Sequence, residues 1–173
     1  MRPHAKRTAI TMSSWVELVA NHPANAALVR YFEPRFERKL AVVCRPEEVK
    51  DPYYGLGTHP DLVARLWDEL GKALVVDCRA VFYGNPALIH PTSGVVFGFA
   101  GGTHTYGLRL PETERGEALR AGATRIMTYP RSPALDVAQF GEEWVLCRWF
   151  AQEEAWCCAA FEWAASDSDS SRM

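Results

Sequence analysis

The chain has 173 residues, nearly half of them apolar, with six tryptophans, which is enough for one sizeable core and excludes a disordered chain. Its 19 basic and 21 acidic residues are spread along the sequence and leave a formal net charge of −2. That balance argues against a dedicated nucleic-acid binder, which would carry a basic excess or stripe. Five cysteines at 44, 78, 147, 157 and 158 are odd in number and lack framework spacing, so a disulfide scaffold is not expected and a reducing, cytoplasmic setting is.

The N-terminus opens on basic residues as a signal peptide would. Ser13, Ser14 and Glu17 then interrupt the apolar run before a hydrophobic region can form. No apolar stretch is long enough for a membrane span. SSWVELVANHP reads as a short helix capped by Ser13 or Ser14 and stopped by Pro23, with Trp15, Leu18 and Val19 on one side. Asn25 is placed to cap a second helix that Pro34 breaks, and LAVVC at 40–44 reads as a buried strand.

Residues 58–71, THPDLVARLWDELG, carry the clearest helix signal. Thr58 and Asp61 are spaced as a capping box, Pro60 suits the first turn and Gly71 the stop. Leu62, Val63, Leu66, Trp67 and Leu70 form one apolar stripe. ALVVDCRAVFYG at 73–84 reads as a strand ending at a Gly84-Asn85-Pro86 turn. ALIH at 87–90 follows as a second strand, and PTSG at 91–94 as a β-turn. Beyond the hairpin, PETERGEALRAG at 111–122 predicts a helix, TRIMTY at 124–129 a strand, and RSPALDVAQFGEE an irregular stretch. WVLCRWF at 144–150 fits a strand or a helix start, AQEEAWCCAAFEWAA at 151–165 is a final helix, and residues 166–173 form a polar tail.

The stretch FAGGTHTYGLRL at 99–110 raises the main question of function. A two-residue type I′ turn on Gly101-Gly102 sets Phe99 against His104, Gly98 against Thr105 and Phe97 against Tyr106. One face then gathers Val95, Phe97, Phe99, His104, Tyr106 and Leu108 as cross-strand apolar pairs. The other holds Gly94, Val96, Gly98, Ala100, Thr103, Thr105, Gly107 and Arg109 and is nearly flat. Strand glycines mark a close approach, either by a packed helix or by a ligand. In the ligand case Thr103 and Thr105 are the polar contacts, and Arg109 suits a carboxylate or phosphate.

Other candidates are weaker. Asp77 and Cys78, with His90 and His104 on neighbouring strands, would make a hydrolase site if folding gathered them, since a cysteine nucleophile needs an adjacent base. The simpler expectation for Cys78 is a small buried hydrophobe. No C-x-x-C, H-x-x-x-H or phosphate-loop motif is present, and Cys157 and Cys158 point about 100° apart on a helix, so neither metal nor cofactor is expected. The loop DPYYGLGTHP presents Tyr54 and His59 beside a helix N-terminus, where an anion or a partner could bind. Its simpler reading packs Tyr53 and Tyr54 over the core edge.

The helix–strands–helix–strand order over 58–129 resembles the αβββα(β) core of the PD-(D/E)XK nuclease fold. That resemblance implies metal-assisted hydrolysis by acidic residues on the hairpin and an E-x-K-like pair. GVVFGFA and THTYGLRL carry no carboxylate, so such an activity is not expected. The expected protein is a single α+β domain with an antiparallel sheet of about four to six strands and helices chiefly on one face. Its expected function is that of a cytoplasmic binding or interaction module for a protein or small anionic ligand. A small hydrolase, or a homo-oligomer subunit joined through its tryptophan-rich C-terminal segment, stands as the alternative.

Overall fold

The computed structural model describes residues 12–36, 40–125 and 141–167. The stretch 126–140, which holds most of the predicted TRIMTY strand and RSPALDVAQFGEE segment, and the tail from residue 168 lie outside them. α1 (Met12–Asn21) is followed by a 3-10 turn and α2 (Ala26–Phe32). Then come β1 (Val43–Cys44), α3 (Pro60–Ala64), β2 (Arg79–Phe82), β3 (Asn85–Ile89), β4 (Val96–Gly101) and β5 (Thr105–Arg109). α4 (Glu112–Ala121), β6 (Thr124–Arg125), β7 (Trp144–Leu146) and α5 (Glu153–Ser166) complete the order. The strands form one antiparallel sheet in the order β1-β2-β3-β4-β5-β7-β6, the whole making an α+β body. No helix among the described residues is long and apolar enough to cross a membrane.

The helix predicted over 58–71 forms, with two local differences. His59 caps it instead of Thr58, its Nδ1 accepting the Asp61 N–H at 3.2 Å. From Arg65 to Leu70 the ladder widens into a π-helix that still buries Leu66, Trp67 and Leu70. Trp67 Nε1 donates to the Ala87 carbonyl at 3.0 Å, tying this helix to β3. α4 ends at Gly122, whose φ of 110° allows the closing turn a side chain would resist.

The strand expected from residue 73 starts only at Arg79. β3 ends at Ile89 before the 91–93 turn, so residues 74–77 have no strand to bond with among the described residues, and Val75 stands 87% exposed. The β2–β3 turn falls on Tyr83-Gly84, both left-handed, while Asn85 and Pro86 belong to β3. The β4–β5 hairpin also differs from expectation. Thr105 faces Gly101 rather than Gly98, and the loop is Gly102-Thr103-His104, not Gly101-Gly102. An odd slip exchanges the faces of one strand relative to the other. Tyr106 and Leu108 therefore share a face with Ala100 and Gly98, while Phe99 lies opposite Gly107. A bulge in β4 places Val96 against Ile89 and Gly98 against Leu88, with Phe97 as the extra residue.

The two faces carry separate apolar clusters. The larger holds Leu62, Val63, Leu66, Trp67, Leu88, Phe97, Tyr106, Leu108, Trp156 and Ala160, under the α3 helix, α4 and α5. The smaller holds Trp15, Val19, Leu28, Phe82, Ile89, Phe99 and Trp144, under α1 and α2.

Asn25 fastens α1 to the sheet. It stands at the α2 N-cap position without capping by its side chain. Instead its Nδ2 donates to the Val19 carbonyl at 2.6 Å and the Gly94 carbonyl at 2.9 Å, and its Oδ1 accepts the Val96 N–H at 2.9 Å. Asn25 is fully buried, so removing it strands three backbone groups. Asn25→Ala is expected to cost about 3 kcal/mol in urea unfolding; a loss below about 1 kcal/mol would show that these bonds do not hold α1 in place.

Candidate functional site

The flat face expected of the hairpin does not form, because the observed register puts Gly98 and Gly107 on opposite sides of the sheet, and each is closely packed. A Cβ on Gly98 would come within 3.3 Å of Leu66 and Leu88 side chains, and one on Gly107 within 3.2 Å of the Val145 carbonyl in β7. A Cβ on Gly94 would meet Leu18 of α1 at 2.9 Å. Helix and strand packing, not a ligand, account for these glycines.

Arg109 is 6% exposed and already paired. Its Nη1 donates to Asp167 Oδ2 at 2.8 Å, and its guanidinium lies 3.8 Å from the Trp163 ring centre. Thr103 and His104 are exposed in the hairpin loop, and Thr105 pairs with Gly101. His59 is brought to this tip through its N–H, which donates to the Gly102 carbonyl at 2.8 Å. Tyr53 packs edge-on against Trp67 at 5.6 Å and donates to Asp68, while Tyr54 is 73% exposed.

The candidate hydrolase residues serve separate local structures. Asp77 accepts from Arg79 Nε and Nη2 at 3.0 and 2.9 Å, and this guanidinium holds its carboxyl below the usual range. Cys78 is buried, which pushes its thiol up to about 12 and leaves almost no thiolate at neutral pH. Its Sγ contacts the Val76 carbonyl at 3.6 Å. His90 Nδ1 accepts the N–H groups of Thr92 and Ser93 at 3.2 and 3.1 Å, closing the 91–94 turn, and its ring lies against Phe161. None of these contacts joins the thiol to an imidazole. Among the described residues no cluster of three His, Cys, Asp or Glu is placed to hold a metal ion.

A cleft that the sequence reading missed lies elsewhere. It has a volume of about 720 Å³ and is walled by Tyr31, Phe32, Phe36, Val49, Leu56 and Tyr83, with Lys50 and Asn85 as polar lining. α2 supplies Tyr31 and Phe32, and the 3-10 turn at Pro34 redirects the chain to bring in Phe36. The β2–β3 turn supplies Tyr83, whose φ of 46° is strained for a side-chain-bearing residue. Its ring packs edge-on against Phe36 at 5.3 Å and Phe82 at 4.8 Å, which holds that conformation. The 49–57 loop closes the other wall by folding on Asp51, at φ 51°, whose carbonyl accepts the N–H groups of Tyr54 and Gly55. A Cβ on Gly55 would fall 2.8 Å from the carbonyls of Lys50 and Asp51, so that turn admits only glycine. Tyr31, Phe32 and Phe36 are close along the chain, but their meeting with Tyr83 is a long-range event.

A smaller cleft of about 490 Å³ lies beside Asp77 and Arg79, walled by Trp67, Leu74, Val75 and Val76. Comparison of the chain with protein-family models, with curated proteins and with solved structures finds no match. The residues alone therefore carry the functional reading.

Burial lowers both His90 and His22 from the ordinary value of 6.5, and His22 Nδ1 accepts the Ala24 N–H at 3.0 Å. The unfolded chain then binds more protons than the folded one below about pH 6.5, so stability falls as pH drops through that value. His90→Asn keeps an acceptor for the turn but does not titrate. It is expected to lose less stability than the parent between about pH 7 and 5 in urea unfolding; equal losses would remove His90 from this dependence.

Proposed function

We propose that this protein is a small-molecule binding module whose site is the aromatic cleft between the Tyr83-Gly84 turn and the 49–57 loop. The observation that carries the reading is the cleft itself, about 720 Å³ of open space with aromatic and aliphatic walls beside the polar groups of Lys50, Asn85 and the glycine-bearing turns. That size and lining are typical of ligand sites. Two of the three non-glycine left-handed residues among the described residues, Asp51 and Tyr83, shape its walls, and such strain recurs where a backbone clamps a ligand. The buried Cys78 and the turn-capping His90 support binding over hydrolysis, because neither is left free to react.

Nile red, a neutral apolar dye, tests the site. Its fluorescence is expected to rise on binding the native protein, and Leu56→Arg, which charges one wall, to weaken binding at least about tenfold. Val75→Arg, in the smaller cleft, is expected to change nothing. Undiminished binding by a folded Leu56→Arg variant would place the dye elsewhere and sink the reading.

A second reading, self-association, is favoured by Trp149. Its φ is 58° and it is 49% exposed, yet its loop is firmly held. The N–H groups of Arg148 and Phe150 donate to Glu153 Oε2 at 3.0 and 2.8 Å, and that of Trp149 donates to the Tyr106 hydroxyl. A rigid, accessible indole beside an exposed arginine has the composition of an interface hot spot. Light scattering is expected to report more than one chain per particle and Trp149→Ala to restore a single chain. A parent protein that stays monomeric at high concentration removes this reading.

A further inference from the structure

We infer that the ligand of this cleft is a planar aromatic compound with one negatively charged group, its rings among Tyr31, Phe36 and Tyr83 and its charge at Lys50. The inference rests on the binding reading above and names the chemistry that the site would select.

The walls favour rings. Phe36 and Tyr83 meet edge-to-face at 5.3 Å and 88°, and Tyr31 and Phe32 at 4.9 Å and 73°. Such a set offers ring faces and ring edges together, and a planar π-system finds complementary quadrupoles in both. Val49 and Leu56 add apolar surface without a competing polar group.

The charge is set by Lys50. It is the one charged side chain lining the cleft among the described residues, and it makes no ion pair among them. An ammonium at the rim of an apolar cleft favours an anion and disfavours a cation. Asn85 adds a polar acceptor. Its Nδ2 is occupied by the carbonyls of Phe82 and Tyr83 at 3.4 and 3.0 Å, which leaves Oδ1 to accept a hydroxyl or N–H from the ligand. A second negative charge is disfavoured beside the Tyr83 phenol, because burial and then the Glu33 carboxylate already resist its ionisation. One anionic group, directed to Lys50, satisfies all these groups.

The test compares 2-naphthoate with 2-naphthol, its neutral analogue, and with the cationic 2-naphthylmethylammonium, by calorimetry at neutral pH. 2-Naphthoate is expected to bind about three- to fivefold more tightly than 2-naphthol, the range an exposed ion pair supplies, and the ammonium more weakly than either. Lys50→Gln is expected to erase the preference for naphthoate over naphthol, and added salt to narrow the same gap in the parent. If naphthol binds as tightly as naphthoate, or Lys50→Gln leaves their ratio untouched, the charge assignment is overturned while the cleft remains a binding site. If neither compound nor Nile red binds, the cleft reading fails and the charge assignment with it.

Discussion

The Glu153 carboxylate is the constraint around which this fold is arranged. It is fully buried at the start of α5, where an isolated charge would be very costly. Four donors satisfy it: Arg65 Nη2 at 3.0 Å and the Tyr106 hydroxyl at 2.7 Å on Oε1, and the N–H groups of Arg148 and Phe150 on Oε2. These donors come from the π-helix, from β5 and from the loop before α5. One side chain thus joins three elements that are far apart in sequence. Its place at the N-terminus of α5 adds a favourable interaction with the helix dipole.

This network has consequences for the hairpin. Tyr106 can reach Glu153 only from the face that α5 covers, so β5 must present Tyr106 and Leu108 there. The observed register does that, and it leaves Gly98 and Ala100 as the small residues that let Leu66 approach the sheet. A two-residue turn would keep Phe99 and Tyr106 together, at the cost of turning the Tyr106 hydroxyl away from its acceptor. On the opposite face Asn25 has the corresponding role, joining α1 to β4 by three buried hydrogen bonds. The aromatic cleft lies where that second layer meets the β2–β3 turn, with Phe32 and Phe36 shared between core and cleft.

Local signals were legible where punctuation and periodicity agree. α1, α4, α5 and the helix from Pro60 follow from apolar spacing, from Pro23 and Gly122, and from acids in first turns. Close packing at the strand glycines was legible too, because glycine within a strand signals close approach. The single smooth face expected of them does not form, since the register separates Gly98 from Gly107. Other features were not legible for physical reasons. ALVVD has β-branched residues but no partner strand among the described residues, and a strand exists only where a neighbour accepts its hydrogen bonds. Tyr83-Gly84 is hard to read as a type I′ turn because tyrosine is disfavoured there, and its neighbours Phe36 and Phe82 supply the compensation. Tyr54, His59, Thr103 and Arg109 had suitable chemistry, yet Arg109 is already occupied by Asp167 and Trp163.

The sequence by itself determined the class of the fold, the helices, the central hairpin and a core rich in aromatic residues, because these depend on neighbours within a few positions. Tertiary structure decided the strand register, the burial of Glu153 and Arg109, and the meeting of Tyr31, Phe36, Leu56 and Tyr83 around one cleft. Those outcomes depend on which distant groups satisfy a buried charge and which surfaces are left uncovered afterwards. Neither is encoded in the spacing of residues along the chain.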